Sequence, residues 1–97
     1  MNTTDNVLIE AFYKGILGGL SNLKEQTRSI LRSRELTTRE KAYACMYSLV
    51  LLEQSEECAD RLTGGFRSED VDDFEEFKHT VKSFLEEHPI SGDIATA

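Results

Sequence analysis

Few side chains of this 97-residue chain are spaced in a way that could support catalysis. His79 follows Glu75 and Glu76 by about one helical turn, where an imidazole and a carboxylate can form a general-base pair or half of a metal site. A catalytic zinc needs further His and carboxylate ligands, and no second cluster offers them. No nucleophile is paired with a base, and neither Gly-Gly pair follows a strand. We therefore predict no enzymatic activity, no cofactor and no metal, and interpret His79 as a solvated side chain.

An acidic segment in the C-terminal half is the densest group of charges. Within eight consecutive residues it holds Glu69, Asp70, Asp72, Asp73, Glu75 and Glu76. Such a segment could dock on a basic protein, or imitate the phosphates of nucleic acid as proteins of phages and mobile elements do. The simpler interpretation is a solvated face whose first turn is stabilised by the helix dipole. We predict a partner-binding site at Asp70, Asp72, Asp73, Glu75 and Glu76.

The N-terminal half has the opposite charge. Residues 11–52 contain seven Lys/Arg and three Asp/Glu, whereas residues 53–97 contain four and thirteen, within a net charge of −7. Three of the basic residues recur every fourth position and a fourth follows the next turn: Lys24, Arg28, Arg32 and Arg39. Arginine suits phosphate, so the alternative hypothesis is an oligomeric binder or sponge of an anionic, nucleotide-type ligand at this helix-turn region. The net charge argues against binding of duplex nucleic acid.

Three helical segments position these charges. The first begins near Thr4 or Asp5, and its apolar stripe has spacings of three and four residues: Leu8, Phe12, Ile16, Leu20, Leu23, Thr27 and Ile30. We predict a kink or a break at Gly18-Gly19, because two glycines cost about 1–2 kcal/mol in a helix interior. A restart there would give a fourth helix.

The second and third helices have clear boundaries. Thr37 and Glu40 predict a capping box at the start of the second helix, and Gly64-Gly65 predict its end. Ser68 is the expected cap of the third helix, and Pro89 stops it. The fold class is therefore all-α, an antiparallel bundle of three or four helices, with one domain over residues 1–88 and a disordered tail over residues 89–97.

The middle of the second helix is apolar nearly all the way round. Residues 42–52 are apolar except for Ser48, so two amphipathic neighbours would leave part of this surface uncovered. A homo-oligomer would bury it, although a bent first helix could also cover it. We predict an oligomer interface at Tyr43, Met46, Tyr47, Val50 and Leu51.

The remaining features concern the cell compartment. Cys45 and Cys58 lie about 20 Å apart along one predicted helix, so they cannot form a disulfide within one chain, and we expect both thiols to be buried. No run approaches the roughly 18 apolar residues of a membrane span, and residues 1–5 do not resemble a signal peptide. We expect a soluble, cytoplasmic protein whose partner is another protein with a basic surface, with no membrane involved.

One short segment resembles a known family. Thr38-Arg39-Glu40-Lys41, which opens a long helix after an amphipathic one, resembles the helical hairpin of phage anti-CBASS cyclic-nucleotide sponges. The likeness covers these four residues, and it carries no site residue across.

Overall fold

A computed structural model describes the backbone of residues 3–90 and the side chains of residues 6–90. This part of the chain forms three helices, α1 (Thr3–Arg32), α2 (Thr38–Thr63) and α3 (Ser68–Glu87), and contains no strand. Both α1 and α3 pack against α2. The connections span only residues 33–37 and 64–67, which makes consecutive helices antiparallel neighbours. The predicted all-α bundle is confirmed, with three helices rather than four in the described residues.

The boundaries of α2 are those predicted from its sequence. The backbone N–H of Glu40 donates to Thr37 Oγ1 at 3.1 Å, and the N–H of Thr37 donates to Glu40 Oε1 at 3.0 Å. At the other end, Gly64 takes the left-handed conformation with φ 78°, and its N–H donates to the carbonyl of Asp60. Both ends use contacts within four residues, so local sequence is sufficient to specify them.

The first helix is continuous through Gly18 and Gly19, which excludes a break there and leaves the kinked helix as the remaining alternative. Leu20 and Leu23, which follow the two glycines, pack against the hydrophobic core and compensate for the poor helix propensity of glycine. The predicted stripe is wrong at its N-terminal end. Leu8 and Phe12 are 52% and 64% exposed, whereas Tyr13 is fully buried.

The third helix differs at its N-terminal end from the sequence-based expectation. Its N-cap is Arg67 rather than Ser68, and no side chain caps it. At its C-terminal end, Ile90 is buried and lines a cavity with Ala42 and other residues at the start of α2. The predicted disordered tail over residues 89–97 stays a prediction, and the structure describes only its first two residues. Residues 91–97 lie outside the described part of the chain.

The hydrophobic core lies where α2 meets both flanking helices. It consists of Cys45, Leu52, Phe74, Phe77 and Val81. The buried residues of α2 recur on one face only: Ala42, Cys45, Ser48, Leu52 and Ala59. Burial raises the pKa of the Cys45 thiol. Cys58 is exposed, contrary to the expectation that both thiols are buried, because it lies away from this face.

None of the described helices combines the length and the apolar character that crossing a membrane requires.

A buried polar pair joins α1 to α2. Thr27 and Ser48 are each 2% exposed, and their hydroxyl oxygens lie 2.8 Å apart. Because neither hydroxyl reaches water, each depends on the other for its hydrogen bond. The pair therefore fixes the register of the two helices.

We expect the variant T27V to lower the free energy of unfolding by about 1–3 kcal/mol, since it leaves the Ser48 hydroxyl buried without a partner. The double variant T27V/S48A should recover much of that loss. The measurement is urea denaturation of both single variants and the double variant. Strictly additive losses would show that the two hydroxyls are not coupled.

Candidate functional site

Four acidic side chains within five consecutive positions of α3 are exposed to solvent. The side chains of Asp72, Asp73, Glu75 and Glu76 are exposed and take part in no hydrogen bond or ion pair within the described residues. The core fixes the position of the helix that carries them, because Phe74, Phe77 and Val81 of α3 are buried. We call Asp72, Asp73, Glu75 and Glu76 the α3 carboxylate face.

Asp70, the fifth residue of the predicted partner site, has a role in the fold. The hydroxyl of Tyr13 donates to Asp70 Oδ2 at 2.6 Å and accepts from the backbone N–H of Arg67 at 2.9 Å. Burial, together with the nearby Asp70 carboxylate, raises the pKa of Tyr13. One buried hydroxyl thus ties α1 to the first turn of α3. Asp70 is half-buried, unlike the α3 carboxylate face.

Arg67 completes this junction from the α2–α3 connection. Its guanidinium pairs with both carboxylate oxygens of Glu10 and lies over the Tyr13 ring, 4.5 Å from the centroid. Hydrogen bonding to Arg67 holds the pKa of Glu10 below its usual value. Sequence analysis missed Tyr13, Arg67 and Glu10 as a group. No local signal could reveal them, because Arg67 lies more than 50 residues from both Glu10 and Tyr13 in the chain.

A cleft separates α1 from α3 and brings charges of opposite sign face to face. Its larger cavity has a volume of about 190 Å³ and an apolar floor formed by Leu17, Leu20, Phe74 and Phe77. Lys24 and Ser21 lie on the α1 side, and Asp70 and Asp73 lie on the α3 side. A smaller cavity, which shares Lys24 and Phe77, continues past Arg28 and Glu76.

The cleft therefore unites residues from the predicted acidic and basic sites. Lys24 and Arg28 make no salt bridge with Asp73 or Glu76, so the cleft stays open between them. The carboxylates opposite Lys24 and Arg28 would repel an anion that entered the cleft. This arrangement disfavours the cleft as an anion site.

The other two predicted basic residues lie elsewhere. Arg32 is exposed and lines a shallow depression with Arg28, Ser29 and Ser33. Arg39 lines a separate depression beside His88 and Ile90, and its guanidinium lies 5.8 Å from the centroid of the Tyr43 ring. The four predicted basic residues thus do not converge on one site.

The predicted oligomer interface lies on the outer surface of α2. Tyr43, Met46, Tyr47 and Val50 are 40%, 41%, 65% and 48% exposed, and Leu51 is half-buried at their edge. They lie opposite the buried face of α2, and the first helix does not cover them. Their role in self-association stays a prediction.

The described part of the chain contains no group of three or more His, Cys, Asp or Glu side chains placed to hold a metal ion. His79 lies with its Nε2 atom 3.4 Å from Ser83 Oγ, and both side chains are at the surface of α3. Glu75 and Glu76 make no hydrogen bond or ion pair with the imidazole of His79.

No protein-family model, no curated protein and no solved structure matches this chain.

We expect the variant Y13F to lower the free energy of unfolding by about 1–3 kcal/mol, because it leaves Asp70 and the N–H of Arg67 without their common partner. The matched control is Y47F, which removes the hydroxyl of an exposed tyrosine and should leave stability unchanged. Urea denaturation of both variants is the measurement. Equal stabilities would show that the Tyr13 hydroxyl does not hold α1 to α3.

Proposed function

We propose that this protein is a non-enzymatic binding module, an inhibitor or an adaptor, that docks on a basic surface of another protein. The observation that carries the proposal is that the α3 carboxylate face has no partner within the described chain. Some carboxylates elsewhere in the bundle have such partners: Glu10 pairs with Arg67, Glu56 with Lys78, and Glu57 with Arg61. What distinguishes this face is its density, because four carboxylates without a partner lie within five consecutive positions of one helix.

Helix stability does not explain the face. The helix dipole favours negative charge in the first turn, where Glu69 and Asp70 lie. That stabilisation falls off after one turn, and the α3 carboxylate face lies beyond it. Side chains three and four residues apart are neighbours on a helix, so Asp72 and Asp73 both repel Glu76. A basic partner would relieve this repulsion.

The geometry suits recognition of a cationic surface. The α3 carboxylate face is presented on a helix that the core anchors through Phe74 and Phe77, so binding requires little ordering of the backbone. Exposed charges of one sign mainly raise the association rate and set specificity, and salt weakens their effect. The complex should therefore form quickly and weaken steeply as salt is added.

Neutralising the four carboxylates tests this proposal. We expect the variant D72N/D73N/E75Q/E76Q to bind its partner about tenfold or more weakly, because each exposed charge pair contributes about 0.2–1 kcal/mol. The same variant should unfold at an equal or higher temperature, since repulsion is removed. The partner is first captured on the immobilised wild-type chain from a lysate of the source organism, and its affinity is then measured by calorimetry at low and high salt.

The matched control is E25Q/E35Q/D60N/E86Q, which removes the same number of exposed carboxylates from other parts of the bundle. It should retain wild-type affinity. Equal affinities of wild type and D72N/D73N/E75Q/E76Q would contradict the proposal. Duplex DNA added as a competitor tests the nucleic-acid mimic, because a mimic requires that DNA binds the same basic surface of the partner. DNA that does not compete would exclude the mimic.

A second candidate function is capture of an anionic nucleotide. The depression that Arg28 and Arg32 line favours it, because a serine follows each of the two arginines, Ser29 and Ser33, and lines the same depression. An arginine fork and a hydroxyl are suitable donors to a phosphate. The openness of this surface to solvent and the nearby Glu25 weigh against tight binding.

This second candidate predicts that nucleotides raise the melting temperature of the wild-type protein and fail to do so for R28A or R32A. The control is R39A, which lies in a different depression and should keep the shift. Thermal denaturation with a panel of mononucleotides and dinucleotides is the measurement. A shift that survives R28A and R32A would exclude this surface as the site.

A further inference from the structure

The outer face of α2 carries an ordered sequence of charges around its apolar centre. One line of exposed residues, spaced alternately by four and three positions, consists of Arg39, Tyr43, Met46, Val50, Glu53 and Glu57. Tyr47 and Gln54 lie beside it and are exposed as well. The face therefore has a basic end, an apolar middle and an acidic end. The alternation of three and four positions is the heptad spacing of residues at the interface of paired coiled-coil helices.

No other part of the described chain covers this surface. Leu52 and Cys45 point into the core from the opposite side of α2, which is the side on which α1 and α3 pack. Four large apolar side chains therefore lie together on one helix face with between 40% and 65% of their surface exposed. A contiguous apolar patch of this kind marks an interaction surface.

We propose that this face binds the same face of a second copy of the chain, with the two α2 helices antiparallel about a two-fold axis near residues 46–48. In this pairing Met46 packs opposite Val50 of the partner subunit, and Arg39 comes beside the acidic end of the other helix. With the axis at residue 48, Arg39 lies opposite Glu57 of the second copy. With the axis at residue 46, Arg39 lies opposite Glu53 instead. Either register joins opposite charges at both ends of the seam.

The charge order selects this orientation. A parallel pairing would place the two Arg39 side chains of the dimer beside each other, and likewise the two Glu57 side chains. Like charges repel, so this pairing is disfavoured. The salt bridge from Glu57 to Arg61 does not remove Glu57 from the interface, since both side chains are more than 60% exposed. An exposed pair of this type is weak and can be shared with a second arginine. The dimer does not involve the α3 carboxylate face, so this inference is independent of the proposed partner.

Charge reversal provides the decisive experiment. Sedimentation equilibrium of the full chain should give a dimer for wild type, and dissociation constants at least about tenfold higher for R39E and for E53R/E57R. A mixture of R39E with E53R/E57R should recover the wild-type affinity, because the heterodimer places opposite charges at both ends. The combined variant R39E/E53R/E57R should also dimerise. Circular dichroism checks that each variant keeps its helical content.

Each alternative gives a distinct result. A wild-type chain that stays monomeric at all accessible concentrations overturns the proposal, as does a mixture of R39E and E53R/E57R that fails to dimerise. The other exposed apolar cluster lies near the start of α1, so F12S is the matched control for Y47S. Dissociation by F12S and not by Y47S would assign the interface to α1 and overturn the proposal.

The exposed thiol of Cys58 tests the orientation independently. An antiparallel pairing near residues 46–48 separates the two Cys58 residues by about 30 Å along the helix axes, whereas a parallel pairing places them side by side. A disulfide requires Cα atoms within about 7 Å. Mild oxidation should therefore cross-link Y47C/C58S and leave the wild-type chain uncross-linked. A Cys58–Cys58 disulfide in the wild-type dimer would contradict the antiparallel arrangement.

Discussion

Both flanking helices pack on one side of α2, because the buried residues of α2 recur on a single face. Ser48 contacts Thr27 of α1, and Glu56 contacts Lys78 of α3, from the two edges of that face. This constraint has two consequences. The apolar outer face around Tyr47 is left without a covering helix, and α1 and α3 enclose a cleft between them. The packing of both helices on one side of α2 therefore leaves two candidate binding surfaces exposed, one on the outer face of α2 and one on α3.

The acidic residues divide into two classes with different physical roles. Some carboxylates at contacts between helices are paired, as Glu10 is with Arg67 and Asp70 is with Tyr13. These contacts fix the position of α1 against the first turn of α3. The α3 carboxylate face has no such partner, although repulsion among its members opposes folding. A charge arrangement that costs stability without a structural return is typical of a binding surface.

The two proposed interfaces are compatible because they occupy different helices. An antiparallel dimer through α2 leaves α3 uncovered in both copies, so one assembly would carry two carboxylate faces. A partner with two basic sites would then bind with an effective concentration set by the spacing of those faces. Electrostatics contributes to both contacts, but the dimer also buries Tyr43, Met46, Tyr47 and Val50, so added salt should weaken the partner complex more than the dimer.

The sequence alone determined the features that depend on neighbours within about four residues. The capping box of Thr37 and Glu40, the end of α2 at Gly64 and the all-α class were all predictable, because these contacts are local. The sequence also predicted that α2 carries more apolar residues than two flanking helices can cover. Tertiary structure decided that Tyr13 rather than Phe12 is buried, that α1 continues through Gly18-Gly19, and that Asp70 belongs to the fold. Each of these depends on contacts with other helices, and the hydrogen bonds at Tyr13 span more than 50 residues, a separation that no local pattern can encode.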